Sequence, residues 1–186
     1  MTAPWPDHLL TLADWDSLAE DNSRMYELVE GVLIVSPRPT SLHQRVIKRL
    51  AWQLEPQLAA EWEVLGEVEV VIDRSPPPTV RVPDLCVVPA VSEAVPRWEA
   101  DEVTLAVEVL SPGTRRTDRI TKFAEYAEAG IEHYWIIDLE APVSLTAYRL
   151  AGEHYEVVVD ANGPTAIELL ERRVTIDPAA LVAARG

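Results

Sequence analysis

From Leu42 onward the apolar positions recur four apart, through Val46, Leu50 and Leu54 to Leu58, and this spacing predicts a helix over residues 41–60. Pro56 should kink it or break it into two pieces. The period then drops to two: Val64, Val68, Val70 and Ile72 take one face and Glu63, Glu67 and Glu69 the other, the pattern of a half-exposed strand. Ser75-Pro76-Pro77-Pro78 makes a stiff turn, and residues 80–88 return as a second strand. Pro83 cannot donate to a ladder, so this strand should be irregular or at an edge there. Residues 103–110 are apolar on both faces apart from Thr104 and Glu108, as in a central strand covered on both sides. A helix follows, capped by Thr114 or Thr117 and ended by Gly130, with Ile120, Phe123, Ala124 and Ala127 as its apolar stripe.

Residues 133–138 are the next strand, and 144–150 with 155–159 form a hairpin around Ala151-Gly152. Residues 167–170 add a last short strand. Upstream, residues 11–21 read as a short helix with Leu12, Trp15 and Leu18 on one side, and 32–35 as a strand after a turn at Glu30-Gly31. Strand, helix, strand in the middle implies a parallel crossover, while the hairpins imply antiparallel neighbours. The expected fold class is therefore α/β (α+β), with a mixed sheet and flanking helices.

A chain of 186 residues, 48% hydrophobic and 25% charged, suits one globular domain over residues 1–186. The first twelve residues lack the basic start and apolar run of a secretory signal, and no stretch approaches the ~20 apolar residues of a membrane helix. Cys86 is alone, so an internal disulfide is excluded and a reducing, cytoplasmic setting is expected. The net charge of -15 repels polyphosphate at long range, so a nucleic acid would need a local basic patch or bound cations. Two clusters offer one, Arg45 with Lys48 and Arg49, and Arg115 with Arg116 and Arg119. Each reads equally well as a solvated helix face.

Signatures for phosphate loops, dinucleotides, zinc and a serine nucleophile are absent, and the four histidines lack metal-ligand spacing. What remains is carboxylates on strands: Asp84 after Pro83, and Glu108 within an apolar run. A carboxylate there is costly unless paired, protonated or bound to a cation. If the two strands are neighbours, both acids can hold Mg²⁺ or Mn²⁺ through oxygen, and a nearby lysine would complete a phosphoryl-transfer site. Taken alone, each acid reads first as a structural ion pair with an arginine.

Pro83-Asp84, "VEVLSP" at 107–112, "DRITKFAEY" at 118–126 and "GIEHYWIID" at 130–138 together resemble the Uma-two family, restriction-endonuclease-like proteins of the PD-(D/E)XK nuclease superfamily. "YELVEGVLIVSP" at 26–37 and His43 fit the same pattern, so the likeness spans about residues 20–160, leaving a short C-terminal extension. Leu110 stands where the superfamily's motif lysine would be, and the resemblance moves that role to Lys122 on the following helix. It implies a mixed four- to five-stranded sheet, a divalent metal and DNA phosphodiester hydrolysis. Asp84, Glu108 and Lys122 would be catalytic, with Asp84, Glu108 and a helix-borne Glu27 at the metal. His43, Arg115, Arg116 and Arg119 would meet substrate, and Asp138 would brace a turn. On an ideal wheel, however, Lys122 lies with Asp118 and Tyr126, nearly opposite Ile120, Phe123 and Ala127, the face expected to be buried. Cutting two strands is simplest with two sites, which suits a homodimer, although no residue identifies an interface. The alternative is a catalytically silent binding or scaffolding module on the same fold.

Overall fold

The computed structural model describes residues 8–18, 23–111 and 113–184. Three strand groups organise it. Strands β1 (Arg24–Val29), β2 (Val32–Pro37), β4 (Val70–Asp73), β5 (Thr79–Arg81) and β7 (Trp98–Glu99) form one sheet in the order β2-β1-β5-β4-β7. Strands β3 (Trp62–Leu65), β6 (Leu85–Pro89), β8 (Leu105–Val109), β9 (His133–Asp138), β10 (Ser144–Ala151) and β11 (His154–Ala161) form the larger, ordered β11-β10-β9-β8-β6-β3. In it β8 and β9 are parallel and the remaining pairs antiparallel, so the sheet is mixed as the crossover required. A hairpin of β12 (Thr165–Leu169) and β13 (Arg172–Ile176) ends in the helix Pro178–Val182.

The helices cover β8 from both sides. Helix α2 (Ser41–Leu54) buries Val46, Ile47, Leu50 and Leu54 against Leu105, Val107 and Val109 of β8. Helix α3 (Phe123–Glu128), entered through a π-helical stretch Thr117–Lys122, packs Tyr126 and Ala127 with Ala106 on the opposite face. The C-terminal segment joins the α2 layer through Ile167, Val174, Ile176 and Leu181, and Arg49 of α2 donates to the carbonyls of Ala180, Leu181 and Ala183. A smaller cluster of Leu10, Trp15, Leu28, Val71 and Val80 fills the five-stranded sheet.

Several elements depart from the pattern in the sequence. The helix from Ser41 stops at Leu54 and gives way to a 3-10 turn, Glu55–Gln57, because Pro56 removes a donor. The first helix is confined to Leu12–Asp16, and residues 19–22 lie outside the described chain. The alternating stretch 63–72 is two strands in different sheets, separated by Glu67 at φ 54°. Residues 80–88 divide in the same way, between β5 and β6, at Val82-Pro83-Asp84. A second sheet thus stands beside the mixed sheet, and β13 and the last helix had no signal. Among the described residues no helix is long and apolar enough to cross a membrane.

Candidate active site

The crossing between sheets at Val82-Pro83-Asp84 delivers Asp84 to the head of β6. There the antiparallel register, Leu85 opposite Val107, carries one step further to set Asp84 across from Glu108. The Val109 amide donates to Asp84 Oδ2 at 2.6 Å. His43, from the first turn of α2, places Nε2 2.9 Å from the Val109 carbonyl and 3.2 Å from Asp84 Oδ2. Burial pulls the His43 imidazole toward neutrality, but hydrogen bonding and charge from Asp84, with the Val109 carbonyl, outweigh it and raise its pKa. His43 therefore holds the Asp84 carboxylate in place through Nε2.

Glu108 is 3% exposed. Its Oε1 accepts from Lys122 Nζ at 2.8 Å and from the Tyr126 hydroxyl at 2.9 Å. Lys122 Nζ also lies 3.1 Å from Glu27 Oε1 and 3.9 Å from Asp118 Oδ1. Behind them Arg81, 2% exposed, donates through Nη1 to Glu27 and through Nε and Nη2 to Glu125 of α3. The Val82 amide adds a bond to Glu27 at 3.1 Å. Burial pushes the Glu108 carboxyl up, and Asp84, Asp118 and Glu27 add to the rise against the pull of Lys122. Burial likewise raises Asp118, whose buried Oδ1 has no hydrogen-bond partner among the described residues. For Glu27 burial also acts upward, but Lys122, Arg81 and the Val82 amide win and lower its pKa. Lys122 is pushed the other way by its three carboxylates, which overcome burial and hold the ammonium charged.

The expected apolar stripe is only half buried: Phe123 and Ala127 pack into the core, while Ala124 is exposed. Asp118, Lys122 and Tyr126 point inward together, as the wheel groups them, while Ile120 is 60% exposed. The π-helical stretch takes an additional residue per turn, and Arg119, Ile120 and Thr121 are all exposed where it widens. Glu27 comes from strand β1, not from a helix, and both its oxygens are engaged. Arg115 and Arg119 are committed to Asp138, which also accepts from the Glu140 amide, so Asp138 braces that turn. Arg116 is exposed, and Tyr134 and Trp135 are core aromatics. Tyr126, Asp118, Arg81 and Glu125 were missed as site residues. The available signal was spacing: Asp118 and Tyr126 lie four residues either side of Lys122.

The donors suit a divalent cation. Glu108 Oε2 and Asp84 Oδ1 accept no hydrogen bond from any described residue, and the carboxylates around them outnumber the cations. Among the described residues no three His, Cys, Asp or Glu side chains are arranged to hold a metal. Asp84 and Glu108 would be the protein's share of such a site, a sparse ligand set of the kind that Mg²⁺ completes with water and phosphate.

A mixed sheet with a crossover helix, and paired acids at the end of its central strands, define a restriction-endonuclease-like protein. The family model Uma2, described as "Putative restriction endonuclease", matches residues 9–177, and the chain belongs to that family. Its fold is similar to that of a crystal structure described as a putative nuclease belonging to DUF820 from Anabaena variabilis ATCC 29413. The TM-score is 0.73 at 18% identity, over 94% of this chain and 99% of that one. No curated protein matches the sequence.

Proposed function

We propose that the protein is a divalent-metal-dependent endonuclease that hydrolyses DNA phosphodiester bonds at Asp84, Glu108 and Lys122. The observation that carries this reading is the ammonium of Lys122, seated 2.8 Å from Glu108 on the strand beside Asp84. A bound Mg²⁺ or Mn²⁺ would polarise the scissile phosphate and lower the pKa of an attacking water. Asp84 and Glu108 would hold it, each through the oxygen left free. His43 fixes the carboxylate of Asp84, and Tyr126 that of Glu108. Lys122 keeps its proton, so it serves as a fixed positive charge toward the developing oxyanion and not as the base. Glu27, anchored by Arg81, aims Lys122.

The net charge of -15 favours the other reading, a catalytically silent binding or scaffolding module. Plasmid cleavage in Mg²⁺ or Mn²⁺, with metal titration by calorimetry, separates them. Lys122→Ala should lose at least ~10²-fold in rate with metal affinity nearly unchanged. Lys122→Arg should also be poor, because the longer planar guanidinium does not fit among three carboxylates. Glu108→Gln should lose both cleavage and metal. Wild type that neither binds metal nor cuts would leave the scaffold standing.

A further inference from the structure

The helix that carries His43 into the site has an outer face the mechanism does not use. Helix α2 holds Arg45, Lys48 and Arg49 and not one acid in its 14 residues, in a chain of net charge -15. Arg49 is occupied by the backbone of the last helix. Arg45 and Lys48 are exposed and form no ion pair with any described residue. Arg24, Arg116, Arg172 and Arg173 share that lack among the described residues, whereas Arg74, Arg97, Arg115, Arg119 and Arg149 all sit against acids. One turn beyond Lys48 is Trp52, 57% exposed, with Lys48 Nζ 4.5 Å from its ring centroid. Ser41, Arg45, Lys48 and Trp52 are spaced four, three and four apart, so they form one stripe, opposite Val46, Leu50 and Leu54. The stripe begins in the same turn as His43. From there Trp52 lies about 13 Å along the axis.

We propose that this stripe, on the face of α2 opposite His43, is a nucleic-acid docking surface, with Arg45 and Lys48 on successive phosphates and an unpaired base stacked on Trp52. The inference rests on the nuclease reading and specifies its substrate: a single strand, or an unpaired flank, because a base inside a duplex cannot offer its face to an indole. Charge selects the occupant. Arg45 and Lys48, exposed and without a carboxylate partner, present a local positive patch to a polyanion, in a chain whose net charge of -15 repels it at long range. The ring supplies sequence-tolerant stacking of the kind that Arg115 and Arg119, bound to Asp138, cannot.

Fluorescence anisotropy with a labelled 12-nucleotide single strand and its duplex, in EDTA at 50 and 200 mM salt, tests this. The Arg45→Ala/Lys48→Ala variant should bind the single strand at least about tenfold more weakly, and its log–log salt slope should flatten by about 1.4, two phosphates' worth. Trp52→Ala should weaken binding by about ten- to a hundredfold with the slope unchanged, while Trp52→Phe keeps most of the affinity. These positions are exposed, so melting midpoints should hold within a degree or two. Variants that bind like wild type sink the docking surface and leave the nuclease reading intact. Wild type that binds no nucleic acid, with or without Mn²⁺, sinks both. An equal Trp52→Ala loss on the duplex overturns the stacked base, and wild-type self-association abolished by Trp52→Ala would assign the stripe to a second copy instead.

Discussion

Glu108 divides its two oxygens between two tasks: Oε1 is bound by Lys122 and Tyr126, and Oε2 accepts from no described residue. Burial pushes the Tyr126 phenol well above its usual pKa, so the hydroxyl remains a donor throughout the working range. The bond at 2.9 Å therefore fixes the rotation of the carboxylate, the task of the outer groups that orient metal ligands. Tyr126→Phe keeps the ring in its packing against Tyr134 and removes only that constraint. Mn²⁺ affinity measured by calorimetry should fall about tenfold, the lower end for such groups. Stability should fall by about 1 kcal/mol, because Oε1 keeps Lys122 as a donor. Reduced stability with unchanged metal affinity would make Tyr126 a purely structural partner.

At the scale of elements, Arg81 is the knot. It stands on β5, 2% exposed, and ties Glu27 of β1 to Glu125 of α3, so one guanidinium joins the small sheet to the helix that carries Lys122. Replacing it with a flexible apolar chain leaves Glu125 without its cation and Glu27 with Lys122 alone. Arg81→Met should cost about 3–5 kcal/mol in urea unfolding at neutral pH. The sign of the pH dependence follows from Glu27, whose folded pKa lies below its unfolded value of 4.5. Its contribution is present above that value and is lost as pH falls through the folded pKa, so the deficit of Arg81→Met should shrink in acid. A deficit below about 1 kcal/mol, or one that is flat with pH, would show that the ion pairs carry little. No apolar period announced Arg81, because it stands in a strand of three residues, Thr79–Arg81. Strand β8, the crossover to β9 and the β10–β11 hairpin were legible, since each is one apolar run bounded by turn residues. The transfers between sheets were not. Residues 63–72 keep their alternation straight through Glu67, whose positive φ turns the chain without breaking the pattern. The helix was half legible: Phe123 and Ala127 pack inside as hydrophobicity suggests, but the charged site also draws Asp118 and Lys122 inward and leaves Ile120 exposed.

For the whole molecule the dominant quantity is negative charge, and it concentrates where Asp84, Glu108, Asp118 and Glu27 face Lys122, with Arg81 shared between Glu27 and Glu125. Burial is the main reason that Glu108 and Asp118 are both raised, and without a cation the repulsion among these acids adds to it. A carboxyl raised on folding opposes stability at neutral pH and ceases to do so when protonated. Neutralising one acid should relieve part of that repulsion, while Lys122 keeps Glu27 and Asp118 as counterions. Metal-free Asp84→Asn and Glu108→Gln should therefore be as stable as wild type or more so. Wild type should gain about 2.7 kcal/mol with Mn²⁺ at a hundred times its dissociation constant, a midpoint rise of roughly 5–11 °C. The two variants should lose most of that rise. If the acids serve only as structural counterions, the order reverses: neutralising Glu108 strands buried Lys122, the variant melts several kcal/mol below wild type, and Mn²⁺ moves none of the three curves. Thermal melts of the three proteins, each with and without Mn²⁺, distinguish a site built for a cation from a buried ion-pair network.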